Sequence, residues 1–102
     1  EFYKLLYDSG KQIDKRERFG IWKDLEQTAR ETYALLIDAS FATHSSKSAP
    51  LSNARTKIEI IKRLIRLTHQ LKIIDDKPYV ALITHLESVS KQVGGWIKFA
   101  EQ

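Results

Sequence analysis

The chain has 102 residues, of which 42% are hydrophobic and 29% are charged, and it contains no cysteine. This length and balance predict a single globular domain over residues 1–102, and the lack of cysteine excludes disulfides, thiolate zinc sites and cysteine nucleophiles. The formal net charge of +4 is a mild excess, which by itself is weak evidence for a nucleic-acid partner.

We expect a cytoplasmic protein without a membrane span. No apolar run approaches the roughly 20 residues that crossing a bilayer requires, and a cysteine-free chain suits a reducing compartment. The sequence opens at Glu1 rather than at methionine, so we expect that preceding residues were removed or that the first helix is cut short.

Apolar residues recur at intervals of three and four, and no stretch alternates with period two, which predicts helices and no strands. The first predicted helix covers about residues 1–16, although Gly10 weakens it by roughly 1 kcal/mol relative to alanine. Its inner face holds Phe2, Leu5, Leu6, Ser9 and Ile13. The second covers about residues 18–42, with an inner face of Trp22, Leu25, Ala29, Thr32, Tyr33, Leu36 and Ala39.

A polar loop over residues 43–50 separates the two halves of the chain. The third predicted helix, about residues 51–71, begins at Pro50 or Ser52, because proline suits a first turn and serine suits an N-cap. The fourth, about residues 76–99, begins with Asp76 as its N-cap. Four amphipathic helices with short connections predict an all-α, antiparallel up-down-up-down four-helix bundle.

The basic excess is concentrated in the third helix. Residues 51–72 contain six basic and one acidic side chain, a net charge of +5. At about 100° per residue, four of the cations fall within about a quarter of the helix circumference, and they are Arg55, Lys62, Arg63 and Arg66. Such a stripe is suited to phosphate contacts, with Arg16 and Arg18 as weaker candidates, although it is equally typical of an ordinary solvated face.

Two features predict a packing or oligomer interface. Ile60 and Leu67 widen the apolar face of the third helix, which indicates either the edge of the core or a neighbouring chain. Gly94, Gly95 and Trp96 lie late in the fourth helix. The glycines either end that helix as a C-cap or let another helix or a partner approach closely.

The three histidines do not have metal-site spacing, so we expect neither a metal nor a cofactor. Arg63 and His69 are separated by five residues, a spacing similar to the Arg-x4-6-His motif of the helical ribonucleases called HEPN domains. Their side chains point about 120° apart on an ideal helix, so a ribonuclease is the least favoured alternative.

The order of these elements resembles a known family. The carriers of the resemblance are residues 32–39 (Thr-Tyr-Ala-Leu-Leu-Ile-Asp-Ala), the basic third helix, the fourth helix that begins near a tyrosine, and residues 93–98 (Val-Gly-Gly-Trp-Ile-Lys). This pattern is similar to the four-helix-bundle proteins that include Avd, the accessory variability determinant of diversity-generating retroelements, and relatives encoded in intervening sequences of bacterial ribosomal RNA genes.

The resemblance implies a ring-like homopentamer that binds nucleic acid and a reverse transcriptase during mutagenic copying of template RNA. We therefore expect a non-enzymatic scaffold that presents the basic stripe to RNA or DNA. The alternative is a protein-interaction module of the intervening-sequence type, without a nucleic-acid role.

Overall fold

A computed structural model describes residues 2–101, which form helices joined by turns and contain no strand. A single 3-10 turn, His44–Ser46, lies in the predicted loop. The α-helices are α1 (Phe2–Gly10), α2 (Lys15–Phe19), α3 (Ile21–Phe41), α4 (Ser48–Gln70) and α5 (Asp76–Ala100). The expected all-α class is confirmed, and the three long helices agree with the predicted ones to within three residues at each end.

The first predicted helix is wrong in its second half. α1 ends at Gly10, the chain turns through residues 11–14, and α2 is a separate short helix. In the turn, the backbone N–H groups of Gln12 and Ile13 donate to carbonyls three residues earlier. This tighter winding lets the Ile13 side chain fold back into the core, where it is buried.

Two helix starts also differ from the prediction. α4 begins at Ser48 with Lys47 at the N-cap, so Pro50 lies inside the first turn, where its missing N–H costs no helical hydrogen bond. On α5 the N-cap is Asp75 rather than Asp76. The carboxylate of Asp76 lies 2.6 Å from Nε2 of His69 instead of capping the helix.

Four of the helices, α1, α3, α4 and α5, pack against one another in the cyclic order α1–α3–α4–α5. Contacts pair rising residue numbers on one helix with falling numbers on the next: Tyr3 meets Arg30 and Leu6 meets Trp22, Lys47 meets Ala39 and Lys57 meets Glu31, and Lys62 meets Glu87 and His69 meets Tyr79. Neighbouring helices are therefore antiparallel. The shared core includes Leu6, Trp22, Leu25, Leu51, Ile58, Ile61, Ile65, Leu82 and Leu86.

The four packed helices differ in length, and this shapes the molecule. α1 has 9 residues, whereas α3, α4 and α5 have 21, 23 and 25. A cross-section through α1 cuts four packed helices, whereas a cross-section of the described chain beyond Phe2 cuts only α3, α4 and α5. Tyr33, predicted to face the core, lies next to this step and is 61% exposed.

Across residues 2–101, no helix combines the length and apolar character needed to cross a bilayer.

Candidate nucleic-acid interface

Three arginines form an exposed face on α4. Arg55, Arg63 and Arg66 are all exposed, and among the described residues none of them makes an ion pair. They follow α4 over about 17 Å at 1.5 Å per residue, on a rigid and regular helix. We call these three side chains the arginine face. Unpaired guanidinium groups on a fixed scaffold are suited to phosphate oxygens, which they contact in bidentate fashion.

Lys62 does not share this environment, which corrects the prediction of a four-cation exposed stripe. The residue is only 8% exposed. Its ammonium lies 3.3 Å from a carboxylate oxygen of Glu59 and 3.3 Å from one of Glu87. Because Lys62 stands at the α5 edge of α4, its charge is used to join the two helices rather than presented to solvent.

The lysine also engages the one acidic residue that lies among the arginines. Glu59 is three residues from Lys62 and pairs with it, so its carboxylate makes no ion pair with Arg55 or Arg63. The arginine face therefore keeps its three positive charges without a local carboxylate partner in the described chain.

Arg16 and Arg18 lie on a different element. Both are exposed on α2, and α2 packs on α3. A guanidinium nitrogen of Arg18 donates to the backbone carbonyl of Ile13 at 3.2 Å, which ties this side chain to the preceding turn. Arg16 has no such contact among the described residues. These two arginines therefore lie on a different helix from the arginine face.

Next to the arginine face lies an exposed apolar strip. Ile60 is 44% exposed and Leu67 is 40% exposed, and Leu71 just beyond the end of α4 is also exposed. On the helical wheel Ile60 and Leu67 fall about 40–60° from Arg63, on the side toward α3. We call Ile60, Leu67 and Leu71 the α4 apolar strip. Three large aliphatic side chains in one row are typical of a surface that another protein covers.

The Gly-Gly-Trp segment is helical throughout, because α5 continues to Ala100. The prediction that Gly94 or Gly95 ends the helix as a C-cap is therefore wrong. A Cβ added at Gly94 or Gly95 would meet no atom within 4 Å. The described chain itself therefore makes no close approach to these glycines. Trp96 is partly buried against the core, and the ammonium of Lys47 lies 5.5 Å from the centre of its ring.

The ribonuclease alternative gains no support from the geometry. His69 lies 2.6 Å from a carboxylate oxygen of Asp76 and stacks on the ring of Tyr79 at 4.0 Å. Arg63 is exposed on the outer face of the same helix, so the two groups do not converge on one point. Within residues 2–101, no group of three potential metal ligands comes together.

Comparison with known proteins does not assign the chain to a family. A search with the chain found no matching family model, no matching curated protein and no matching solved structure.

The sequence pattern did not predict that Lys62 pairs with Glu59 and Glu87. It also did not predict that this pairing leaves the arginine face without a carboxylate partner in the described chain. A wheel for α4 places Lys62 next to Arg66 and cannot show that Glu87 of α5 lies opposite it. The available signal was that Lys62 also falls beside Leu51 and Ile58 on the wheel, at the border of the buried face.

Proposed function

We propose that this chain is a non-enzymatic accessory scaffold that binds RNA or DNA through the arginine face of α4. The observation that carries the proposal is the exposure of three arginines without an ion-pair partner in the described chain. Phosphate groups would neutralise this row and release the counterions condensed on the nucleic acid, which favours binding.

The proposed context follows from the resemblance to Avd. In that context the scaffold is a homo-oligomer, a pentameric ring, that assists a reverse transcriptase in mutagenic copying of template RNA. The α4 apolar strip supports assembly, since it offers a protein-binding surface directly beside the proposed nucleic-acid contacts. The open space at Gly94 and Gly95 supports a close approach by another chain.

Charge reversal on the arginine face tests the nucleic-acid role. We expect Arg63→Glu with Arg66→Glu to lower affinity for a structured RNA at least tenfold at low salt. The slope of log affinity against log salt should become shallower by about two, because two phosphate contacts are lost. Fluorescence anisotropy over a salt series measures both quantities.

The matched control reverses two exposed lysines on other helices. Lys4→Glu with Lys23→Glu changes the net charge equally, but these residues lie on the outer faces of α1 and α3. The control should keep most of the affinity and the original slope. An equal loss in both double variants would mean that only net charge matters, and the arginine face would not be the site.

A second function is favoured by the α4 apolar strip alone. In this alternative the chain is a protein-interaction module and its arginines are simply solvated. A stable oligomer that shows no RNA or DNA binding at low salt would favour this second function over the first.

A further inference from the structure

A pocket lies at the end of the bundle where α1 ends and α5 begins. It has a volume of about 460 Å³, and its walls are α1 with the turn that follows it, the α4–α5 connection and the first turns of α5. All of these walls are internal segments of the chain. Pockets that bind small molecules span roughly 300–1,000 Å³, so this volume is in their range. We call it the α1–α5 pocket.

The floor of the α1–α5 pocket is apolar and belongs to the core. Ile13 and Ile74 line the pocket and are only 5% and 6% exposed, so core packing holds both side chains in place. Leu5 and Ile73 are partly buried beside them. Ile13 reaches this position through the tight turn after Gly10. The floor is therefore a preformed surface for an apolar group of a ligand.

Two polar side chains of the rim are already engaged within the chain. The hydroxyl of Ser9 donates to the backbone carbonyl of Leu5 at 2.8 Å. The carboxylate of Asp8 lies 3.5 Å from the ammonium of Lys11. These contacts leave the remaining charged residues of the rim as the groups that a ligand would use.

Those remaining residues are Asp75 and Lys77, which carry opposite charges. Asp75 is the N-cap residue of α5, yet its carboxylate makes no capping hydrogen bond. Neither residue makes an ion pair within residues 2–101. The backbone of Asp75 is extended, with φ −79° and ψ 171°, so this residue lies off the helical wheel of α5 and lines the same pocket as Lys77. The rim thus offers one carboxylate and one ammonium beside an apolar floor.

This combination matches a ligand that carries two opposite charges and one apolar group. The ammonium of such a ligand pairs with Asp75 and its carboxylate pairs with Lys77, as charge-assisted hydrogen bonds. Its apolar group covers the floor at Ile13 and Ile74 and is removed from water. A purely apolar ligand would cover charged groups without pairing them, which costs free energy.

We propose that the α1–α5 pocket binds a free α-amino acid with a large apolar side chain, such as leucine or phenylalanine. Gln12 also lines the pocket, and its neutral amide can donate to the ligand's carboxylate. Because the rim contacts are open to solvent and the ligand is small, we expect a Kd of about 0.1–10 mM. The proposal does not depend on nucleic-acid binding.

Titration of the ¹⁵N-labelled chain with L-phenylalanine, followed by NMR, tests the proposal. The backbone amide signals of Ile74 and Ala81 and the side-chain amide signals of Gln12 should shift and saturate. The indole N–H signal of Trp96, which does not line the pocket, should stay in place. Phenethylamine lacks the carboxylate and 3-phenylpropionate lacks the ammonium, so each should bind at least fivefold more weakly than phenylalanine.

Single variants assign each charge of the ligand to its partner. Asp75→Asn and Lys77→Gln should each weaken phenylalanine binding at least fivefold. Asp75→Asn should not weaken binding of 3-phenylpropionate, and Lys77→Gln should not weaken binding of phenethylamine, because these analogues lack the group concerned. Asp38→Asn and Lys91→Gln are the matched controls, since they make the same charge changes at exposed positions outside the pocket. Both controls should bind phenylalanine as the unmodified chain does.

Three outcomes would overturn the proposal. The first is the absence of a saturable shift at Ile74 at phenylalanine concentrations well above the expected Kd. The second is an analogue with a single charge that binds as tightly as phenylalanine, because the rim would then not recognise both charges. The third is an equal loss of affinity in the pocket variants and in their matched controls, because the effect would then come from the overall charge of the chain.

Discussion

At Gly10, the indole of Trp22 occupies the space that any side chain would need. A Cβ built there would lie 2.4 Å from the indole nitrogen and 2.7 Å from Cδ1. That nitrogen donates to the backbone carbonyl of Leu6 one turn earlier. The helix gives up alanine's greater propensity at this position so that a large aromatic residue can pack against its backbone and satisfy its own N–H.

Gly10→Ala should therefore lower the free energy of unfolding, although alanine is the better helix former. The propensity gain is about 1 kcal/mol, whereas forcing a methyl group into a filled site costs about 1–3 kcal/mol, and here it also displaces a buried hydrogen bond. We expect a net loss of about 1–2 kcal/mol, measured by urea denaturation.

Gly94→Ala is the control for that experiment. Its new Cβ would meet no atom within 4 Å, so it should raise the free energy of unfolding by up to about 1 kcal/mol. If both alanines stabilised the chain, the indole would not be packed on Gly10 as described.

At the scale of the elements, α4 uses its two edges differently from its outer face. On one edge Lys57 pairs with Glu31 of α3 at 3.1 Å, and on the other Lys62 pairs with Glu87 of α5. The arginine face lies between these edges, out of reach of the neighbouring helices. Lys57 and Lys62 thus pair across helix boundaries, whereas the three arginines make no ion pair among the described residues.

Lys62→Met should destabilise the α4–α5 packing without affecting RNA affinity. The substitution keeps most of the aliphatic stem but leaves Glu59 and Glu87 facing each other without a cation. We expect a loss of about 1 kcal/mol in the free energy of unfolding. Converting both carboxylates to amides in the same chain should restore most of it.

The comparison is made by urea denaturation of the single variant and of the triple variant with Glu59→Gln and Glu87→Gln. RNA affinity is then measured for Lys62→Met beside Arg63→Glu. A large drop in RNA affinity for Lys62→Met alone would mean that Lys62 contacts phosphate, contrary to this assignment.

Periodicity was sufficient to predict α3, α4 and α5, because each is a long amphipathic helix whose apolar face has one register. It was not sufficient for α1, since α1 ends at Gly10, where the backbone packs against Trp22, and a periodicity within residues 1–16 does not contain that contact. The same reason explains the error at Lys62. Contacts between helices decide which side chain at the border of a face is buried, and one helix read alone does not contain them.

At the scale of the whole molecule, the exposed apolar side chains at the outer side of α4 are the surface best suited to assembly. The α4 apolar strip is convex and borders the arginine face. A convex row of this kind is suited to packing against an extended surface such as another copy of the chain.

Ile60→Glu combined with Leu67→Glu should dissociate the proposed homo-oligomer. Each substitution removes a half-exposed aliphatic side chain from the interface and leaves a carboxylate to be desolvated there. We expect association to weaken at least a hundredfold, equivalent to about 2.8 kcal/mol. Sedimentation velocity over a concentration series measures this change.

Tyr7→Glu with Val80→Glu adds the same charge at exposed apolar sites on α1 and α5 and should leave the stoichiometry unchanged. An unmodified chain that is monomeric at all concentrations, or a strip variant that keeps its stoichiometry, would contradict the assignment of the α4 apolar strip to self-assembly.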